Sequence, residues 1–258
     1  MPESSRGRLD GTVALVTGAS SGIGEATAVA LSRLGAAVAV VARRSDRLEA
    51  LATRLRAGGG TVLVITADVT DEAQAAHAVE RTVTELGRLD TLINNAGVML
   101  LGPVVGAPID EWQRMVHINV LGLMYCTHAA LPHLLEAAAA GGRGVADVVN
   151  MSSVAGRQTR SGSAAYEATK HAVGAFSDAL RLEVTARHVR VSLVEPGAVK
   201  TELPDHNRPE IRAALDARFS KMERLEADDI AEVVAFIVSR PRHVAINEVL
   251  VRPTDQEN

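Results

Sequence analysis

Tyr166 and Lys170 stand four residues apart in Tyr166-Glu167-Ala168-Thr169-Lys170, within a chain that has only two tyrosines and three lysines. On a helix, that spacing puts both side chains on one face. A phenol with its ordinary pKa of about 10 is a poor acid–base group near neutrality unless its ionised form is favoured, and a neighbouring ammonium favours it. The pair therefore reads as a proton donor and acceptor in which Lys170 lowers the pKa of Tyr166. Ser153 precedes Tyr166 by thirteen residues, enough for a strand-end loop to fold back so that hydroxyl and phenol meet at one carbonyl oxygen. Ser152 is the weaker partner, and two serines after a strand are by themselves ordinary turn chemistry. Asn119 lies inside a helical stretch, where Asn is mildly unfavourable and commonly faces solvent.

A second group of residues is suited to phosphate. Thr17-Gly18-Ala19-Ser20-Ser21-Gly22-Ile23-Gly24 follows an apolar run and opens a helical one. Gly18 permits a tight turn, Gly22 admits a pyrophosphate to the backbone, Gly24 lets helix and strand pack closely, and the helix N-terminus favours the phosphate charge. In a dinucleotide site an acidic residue about 20 positions on would hold the adenosine ribose. Here Ala42 occupies that place, followed by Arg43 and Arg44. Guanidinium forks suit a 2′-phosphate, so the reading favours NADP(H) over NAD(H), with solvated loop charges as the competing explanation. Asp68 is a candidate acceptor for the adenine amino group, although Asp68-Val69-Thr70-Asp71 also fits a simple helix-start turn.

Elements that would position these groups follow from hydrophobic periodicity. Short apolar runs at 13–17, 37–42, 62–66, 91–94, 145–150, 190–195 and 248–252 read as seven buried strands. Between them, 22–34, 45–57, 71–86, 110–140, 164–188 and 227–239 have helical spacing and are long enough for crossovers. Asp71 and Asp110 sit where N-caps would, and Gly35 and Gly87 where helix ends need a left-handed residue. Strict alternation predicts a parallel sheet with helices on both faces and ligands at the carboxyl ends of the strands. The stretch 198–227 breaks the rhythm with Pro204, Pro209, many charges and a helix-like piece at 211–222. It reads as a lid.

Composition narrows the classes. With 258 residues, 47 % hydrophobic and 22 % charged, the chain is neither disordered nor collagen-like, and one large α/β domain spanning 1–258 accommodates it. Aromatics are only 2 %, so Val, Leu, Ile and Ala must build the core. The longest apolar run, 36–42, is too short for a membrane span. Residues 1–10 lack the apolar centre of a signal peptide, and Cys126 is the only cysteine, which together point to the cytoplasm. A net charge of −4 with interspersed signs gives no stripe for nucleic acid. A small-molecule partner is expected, with no nucleic acid and no membrane.

The glycine loop, Asn94-Asn95-Ala96-Gly97, Asn119, Ser153, Tyr166 with Lys170, and Pro196-Gly197 with Thr201 together resemble the short-chain dehydrogenase/reductase family over essentially the whole chain. That resemblance implies a single-domain, Rossmann-type, doubly wound seven-stranded parallel sheet and NADP(H)-dependent hydride transfer between nicotinamide C4 and an aldehyde or ketone. It implies Tyr166 as acid–base, Ser153 holding the substrate oxygen, Lys170 on the nicotinamide ribose, and Asn119 anchoring a relay water. Gly18, Ser20, Ser21, Gly22, Ile23 and Gly24 would form the phosphate turn, with Arg43, Arg44, Asp68 and Val69 at the adenosine end. Ile23 and Asn95 would line the cofactor channel, Thr201 would meet the carboxamide, and Ala96, Gly97, Pro196, Gly197 and Val199 would also bind the cofactor. Met99, Leu100, Leu101, Val154, Ala155, Ala198 and Leu203 would wall the substrate pocket. Arg157, Arg160, His206 and Arg208 are candidate anchors for a substrate carboxylate, each also readable as a solvated charge, and Glu167 and His171 are expected on the outer helix face.

Segments 97–103 and 119–132 and the tail 252–256 further resemble members that reduce clavulanate-9-aldehyde, which suggests a secondary-metabolite carbonyl. A β-ketoacyl, steroid or general ketone reductase is the alternative, and an NADP(H)-sensing regulator the non-enzymatic one. The resemblance also implies a homodimer or homotetramer and no metal.

Overall fold

The computed structural model describes residues 9–220 and 222–257. Most of the polar start 1–10 therefore lies outside the described residues. Seven strands form one parallel sheet in the order β3-β2-β1-β4-β5-β6-β7. They are β1 Val13–Thr17, β2 Ala37–Ala42, β3 Val62–Thr66, β4 Thr91–Asn94, β5 Ala146–Met151, β6 Val189–Pro196 and β7 Glu248–Val251. Every residue of β1, β4, β5 and β6 is buried, including the polar Asp147, Asn150, Arg190, Ser192 and Glu195, as expected of strands covered on both faces.

Alternate side chains nevertheless go to opposite faces. Leu15, Val41, Leu92 and Val148 enter one core, and Ala14, Val16, Val40, Ile93 and Val149 the other. Helices α3 (Glu72–Leu86) and α5 (Leu123–Ala140) cover the first face, together with α6 (Ala164–Val184). On the second face lie α1 (Gly22–Arg33), α2 (Ser45–Ala57) and α8 (Ala227–Val238). The Ala-rich helices let this core close without aromatics.

The outer strands correct the expectation of seven buried strands. In β3, Val62, Leu63 and Val64 are half-buried and Thr66 is exposed. In β7, Glu248 and Leu250 are exposed and alternate with half-buried Val249 and Val251. A strand at the sheet edge lacks a neighbour on one side, so its side chains are covered less completely.

Helix boundaries differ in ways that matter for the site. Asp71 caps α3 as expected, accepting from the Gln74 amide at 3.0 Å. Asp110 instead lies in the first turn of α4 (Ile109–Val116), whose N-cap position is Pro108, since a proline's extended backbone is already set for helix entry. The expected helix 110–140 is continuous from Ile109 to Ala140 but holds a π turn, His117–Gly122, between α4 and α5. There Gly122 lets the helix approach the loop after β3, where a Cβ would lie 3.1 Å from Val69 Cγ2. By length and composition this helix could cross a membrane, which the short run 36–42 did not reveal. In the fold it buries Cys126, Ala130, Leu134 and Ala138 in the core.

Helix α6 ends at Val184 rather than 188, passing through a 3-10 turn, Thr185–Arg187, into left-handed His188 (φ 62°). The stretch 198–227 folds as a 3-10 turn, Leu203–His206, and α7 (Pro209–Phe219), which starts two residues before the expected helix because Pro209 sits at its first position.

Candidate active site

All strands being parallel, Thr17, Ala42, Asn94, Met151 and Pro196 end at one edge of the sheet. The chain leaves β1 for β2 on one side and β4 lies on the other, so a crevice opens where the winding reverses. A cavity of about 340 Å³ occupies it.

The glycine turn is braced from β4. Thr17 Oγ1 accepts from the amides of Asn95 and Ala96 at 3.0 and 3.1 Å, and Asn95 Nδ2 donates to Thr17 O and Gly18 O at 3.0 and 3.3 Å. Gly18 has φ 66° and no room for a side chain, since a Cβ would lie 2.8 Å from Ala96 Cα. Gly22, at φ 56°, packs against Thr201. Asn95 thus shapes the turn as well as facing the cavity.

Where the cavity reaches β2, Arg44 donates to Ser20 Oγ through Nε and Nη2 (3.1 and 2.9 Å) and to Ser21 Oγ through Nη2 (2.8 Å). Its Nη1 meets Glu202 Oε2 at 2.8 Å, and Arg47 pairs with the other oxygen of the same carboxylate. Hydrogen bonds from Arg44 and then Arg47 hold the Glu202 carboxyl down at about 2. Sequence reasoning missed Glu202. It lies 158 residues from Arg44, in the stretch after β6, and no local pattern announces it. Arg43 sits 3.7 Å from Asp68. Asp68 accepts from the Thr70 amide and hydroxyl at 3.0 and 2.8 Å, the helix-start turn that was its alternative reading. Burial works against its charge, but those Thr70 bonds and Arg43 hold its carboxyl below the usual range.

At the chemical end, Tyr166 and Lys170 are both buried on α6. Lys170 Nζ donates to Met151 O at 2.9 Å and lies 5.8 Å from the Tyr166 ring centroid. The expectation that the ammonium makes the phenol acidic is not met in this arrangement. Burial pushes the phenol up to about 12, a hydrogen bond with Ser153 drawing it partly back. Burial likewise pushes Lys170 down to about 8. Desolvation disfavours both charged forms.

Ser153 Oγ accepts from the Ala155 amide at 3.2 Å and faces Pro196 O at 3.4 Å. Ser152 Oγ donates to Lys170 O at 3.2 Å, tying β5 to α6, so the two serines divide into one facing the cavity's phenol and one structural. Asn119, in the π turn, is buried rather than solvent-facing. Its Oδ1 accepts from Val98 N at 2.8 Å, and its Nδ2 donates to Val98 O and Thr169 Oγ1 at 2.9 and 3.0 Å. Both amide protons are used, leaving one Oδ1 lone pair for anything further.

Of the expected site residues, Gly24, Asn119 and Leu100 do not line the cavities. Gly24 is enclosed by Asn95 and Gly18 O, where a Cβ would collide with both. Leu100 is buried in a small cluster with Met115. Ser20, Ser21, Ile23, Val69, Gly97, Val199 and Leu203 line the large cavity. A second cavity of about 110 Å³ is walled in part by Leu101, Val154 and Ala155. Met99, Ser153, Tyr166, Gly197 and Ala198 belong to both. The hydroxyl pair therefore stands where a long cavity and a short one meet. Glu167, expected to face outward, is buried and accepts from the Arg160 amide at 2.7 Å.

Comparison with known proteins agrees with this geometry. The family model described as short chain dehydrogenase matches residues 12–212. Glycine betaine reductase of Emericella nidulans is 39 % identical over 97 % of this chain, which spans only 19 % of that protein's length. A serine dehydrogenase in its closed form with NADP+ superposes with a TM-score of 0.87 at 30 % identity, covering 96 % of this chain and 97 % of the other. A 3-ketoacyl-(acyl-carrier-protein) reductase from Brucella melitensis with NADH gives 0.83 at 31 %, covering 95 % and 98 %.

Proposed function

The chain belongs to the short-chain dehydrogenase family, and from that premise we propose that it is an NADP(H)-dependent oxidoreductase acting on an aldehyde or ketone, or on the alcohol in reverse. The observation that carries this reading is the junction of the two cavities at Tyr166 and Ser153. The residues fit a dinucleotide. Gly18 and Gly22 keep the turn free of side chains beside the large cavity, and Arg43 and Arg44 stand at its far end. When bound, NADPH supplies the hydride.

The chain's own residues supply the proton and the orientation. Tyr166, protonated near neutrality because burial raises its pKa to about 12, donates its proton to the developing oxyanion, and Ser153 donates a second hydrogen bond to the same oxygen. In the reverse direction the ionised phenol takes the alcohol proton. Lys170 holds the strand end at Met151 O and brings its charge beneath the site. Asn119 locks the loop after β4 to α6 through Val98 and Thr169, keeping Lys170 and Tyr166 in register. Arg44, with Ser20 and Ser21, holds the 2′-phosphate and so favours NADPH over NADH.

Substrate class follows less directly. The resemblance at 97–103 and 252–256 supports a secondary-metabolite carbonyl such as a clavulanate-9-aldehyde-like compound. The family's usual assembly, a homodimer or homotetramer, is supported by exposed Val116 and Leu182 on the long helices. A turnover screen with NADPH and with NADH against β-lactam aldehydes, β-ketoesters, steroids and small diketones tests the reading. Turnover of at least one carbonyl class with NADPH preferred is expected; none with either cofactor overturns it.

A further inference from the structure

The second cavity is lined by two arginines, Arg160 and Arg218, against a single carboxylate, Glu167. Of the four cations that the sequence nominates as anchors, Arg157 is paired with Glu195 at 2.6 Å and with Glu248. Arg208 is paired with Glu111 and Glu210 at 3.2 and 3.4 Å. His206 lines the large cavity instead. Arg160 remains. It lines the second cavity, and its Nη2 is buried with no hydrogen-bond partner among the described residues.

Arg218, from the exposed end of α7, lines the same cavity. Burial first and then the charge of Arg218 disfavour the Arg160 cation, with Glu167 acting in the opposite sense, so the two guanidinium groups feel one another. Glu167 is the one carboxylate on this wall, and its Oε1 is committed to the Arg160 main-chain amide at 2.7 Å. Gln158, Ser163 and Gln256 are the neutral polar groups there, Gln256 Oε1 accepting from Ala198 N at 2.9 Å. A buried donor without an acceptor is costly, and the charge of Arg218 adds to the cost of the Arg160 cation. An anion between them relieves both.

We propose that Arg160 and Arg218 form the recognition site for a carboxylate on the substrate, so that the enzyme acts on a compact carbonyl compound bearing an acid group. The proposal rests on the oxidoreductase reading above and adds the substrate class. The cavity volume of about 110 Å³ suits a small acid rather than a steroid. Tyr166 and Ser153 on its wall hold the carbonyl oxygen while the guanidinium groups hold the acid. In the balanced step the carbonyl carbon gains hydride from NADPH, which is oxidised to NADP+, and the oxygen gains the Tyr166 proton.

The test compares matched pairs with NADPH: 4-oxobutanoate against its methyl ester, and 3-oxobutanoate against its ethyl ester. The unmodified enzyme should prefer the acids at least about tenfold in kcat/KM, the scale of a charge-assisted hydrogen bond. Arg160→Gln and Arg218→Gln should each cut that preference about tenfold or more, chiefly through KM, and Arg160→Lys should recover part of it. The Kd for NADPH, followed by cofactor fluorescence, should be unchanged in all three, which shows that they fold. Turnover of acids and esters at equal efficiency overturns the carboxylate site alone. A variant that weakens acids and esters alike does the same. Failure to reduce any carbonyl with NADPH or NADH overturns the oxidoreductase reading and this proposal with it.

Discussion

Around the Gly18 turn the polar groups are matched within the chain: Thr17 Oγ1 serves two amides, Asn95 serves two carbonyls, and Arg44 is held by Ser20, Ser21 and Glu202. Around the second cavity the matching fails, with Arg160 Nη2 left unpartnered and Arg218 without an ion pair among the described residues. A site preorganised by its own hydrogen bonds suits one unvarying ligand, because little remains to be ordered on binding. A site with unspent donors keeps them for a ligand that brings the complementary charge. The difference separates what the scaffold supplies for the reaction from what is left to choose the substrate.

Removing the group at the junction should show the largest effect. Tyr166→Phe should lower kcat by about 10²–10⁴-fold, the usual worth of general acid catalysis, while the Kd for NADPH stays unchanged. Retained turnover would break the assignment of Tyr166 to both cavities.

Next in size is the dependence of alcohol oxidation on pH. In the proposed mechanism the base is the ionised phenol, whose pKa burial raises to about 12, so its population climbs about tenfold per pH unit across the neutral-to-alkaline range. Oxidation should accelerate with pH, and a break is expected near 8, where Lys170 gives up its proton. A flat rate profile over that range would contradict the role of Tyr166. The same two groups act on stability with opposite signs. The depressed Lys170 costs stability most below about 8, and that cost fades as pH rises to its ordinary value; the raised Tyr166 stabilises below about 10 and loses this contribution as pH approaches 12.

On the preorganised side, Gly18→Ala places a Cβ 2.8 Å from Ala96 Cα at a positive φ. It should destabilise the chain by about 1–3 kcal/mol and weaken NADPH binding, whereas no such backbone sensitivity is expected at Ala155 in the second cavity. Thermal unfolding with and without NADPH measures both. Smallest is the exchange at Arg44. Arg44→Ala should raise KM for NADPH by about tenfold and for NADH much less, and Glu202→Gln, which loosens the competing carboxylate, should lower KM for NADPH a few-fold. An equal change for both cofactors would remove the 2′-phosphate from Arg44.

Much of the scaffold was legible because buried parallel strands announce themselves. β1 ends where Val13–Thr17 meets Gly18, and β2 where Ala37–Ala42 meets Arg43, each a change from apolar residues to ones that cannot stay buried in a strand. Tyr166 and Lys170 were legible for a similar reason, since helical spacing is a local property. The π turn was not, because nothing in the composition of His117–Gly122 separates it from an ordinary helix and the widened hydrogen bonding is a property of the folded backbone. Burial of Asn119 and Glu167 also escaped, since which helix face is covered depends on neighbours distant in sequence.

The sequence by itself determined the order of strands and helices, the glycine turn and the spacing of phenol and ammonium, because each is set by residues within a few positions of one another. Only the tertiary structure decided that burial raises the Tyr166 phenol, that Glu202 reaches Arg44, and that Arg160 keeps a buried donor unspent in a cavity wall it shares with Arg218. Those outcomes depend on desolvation and on ion pairs between residues far apart in the chain, quantities that exist only once the chain has closed around them.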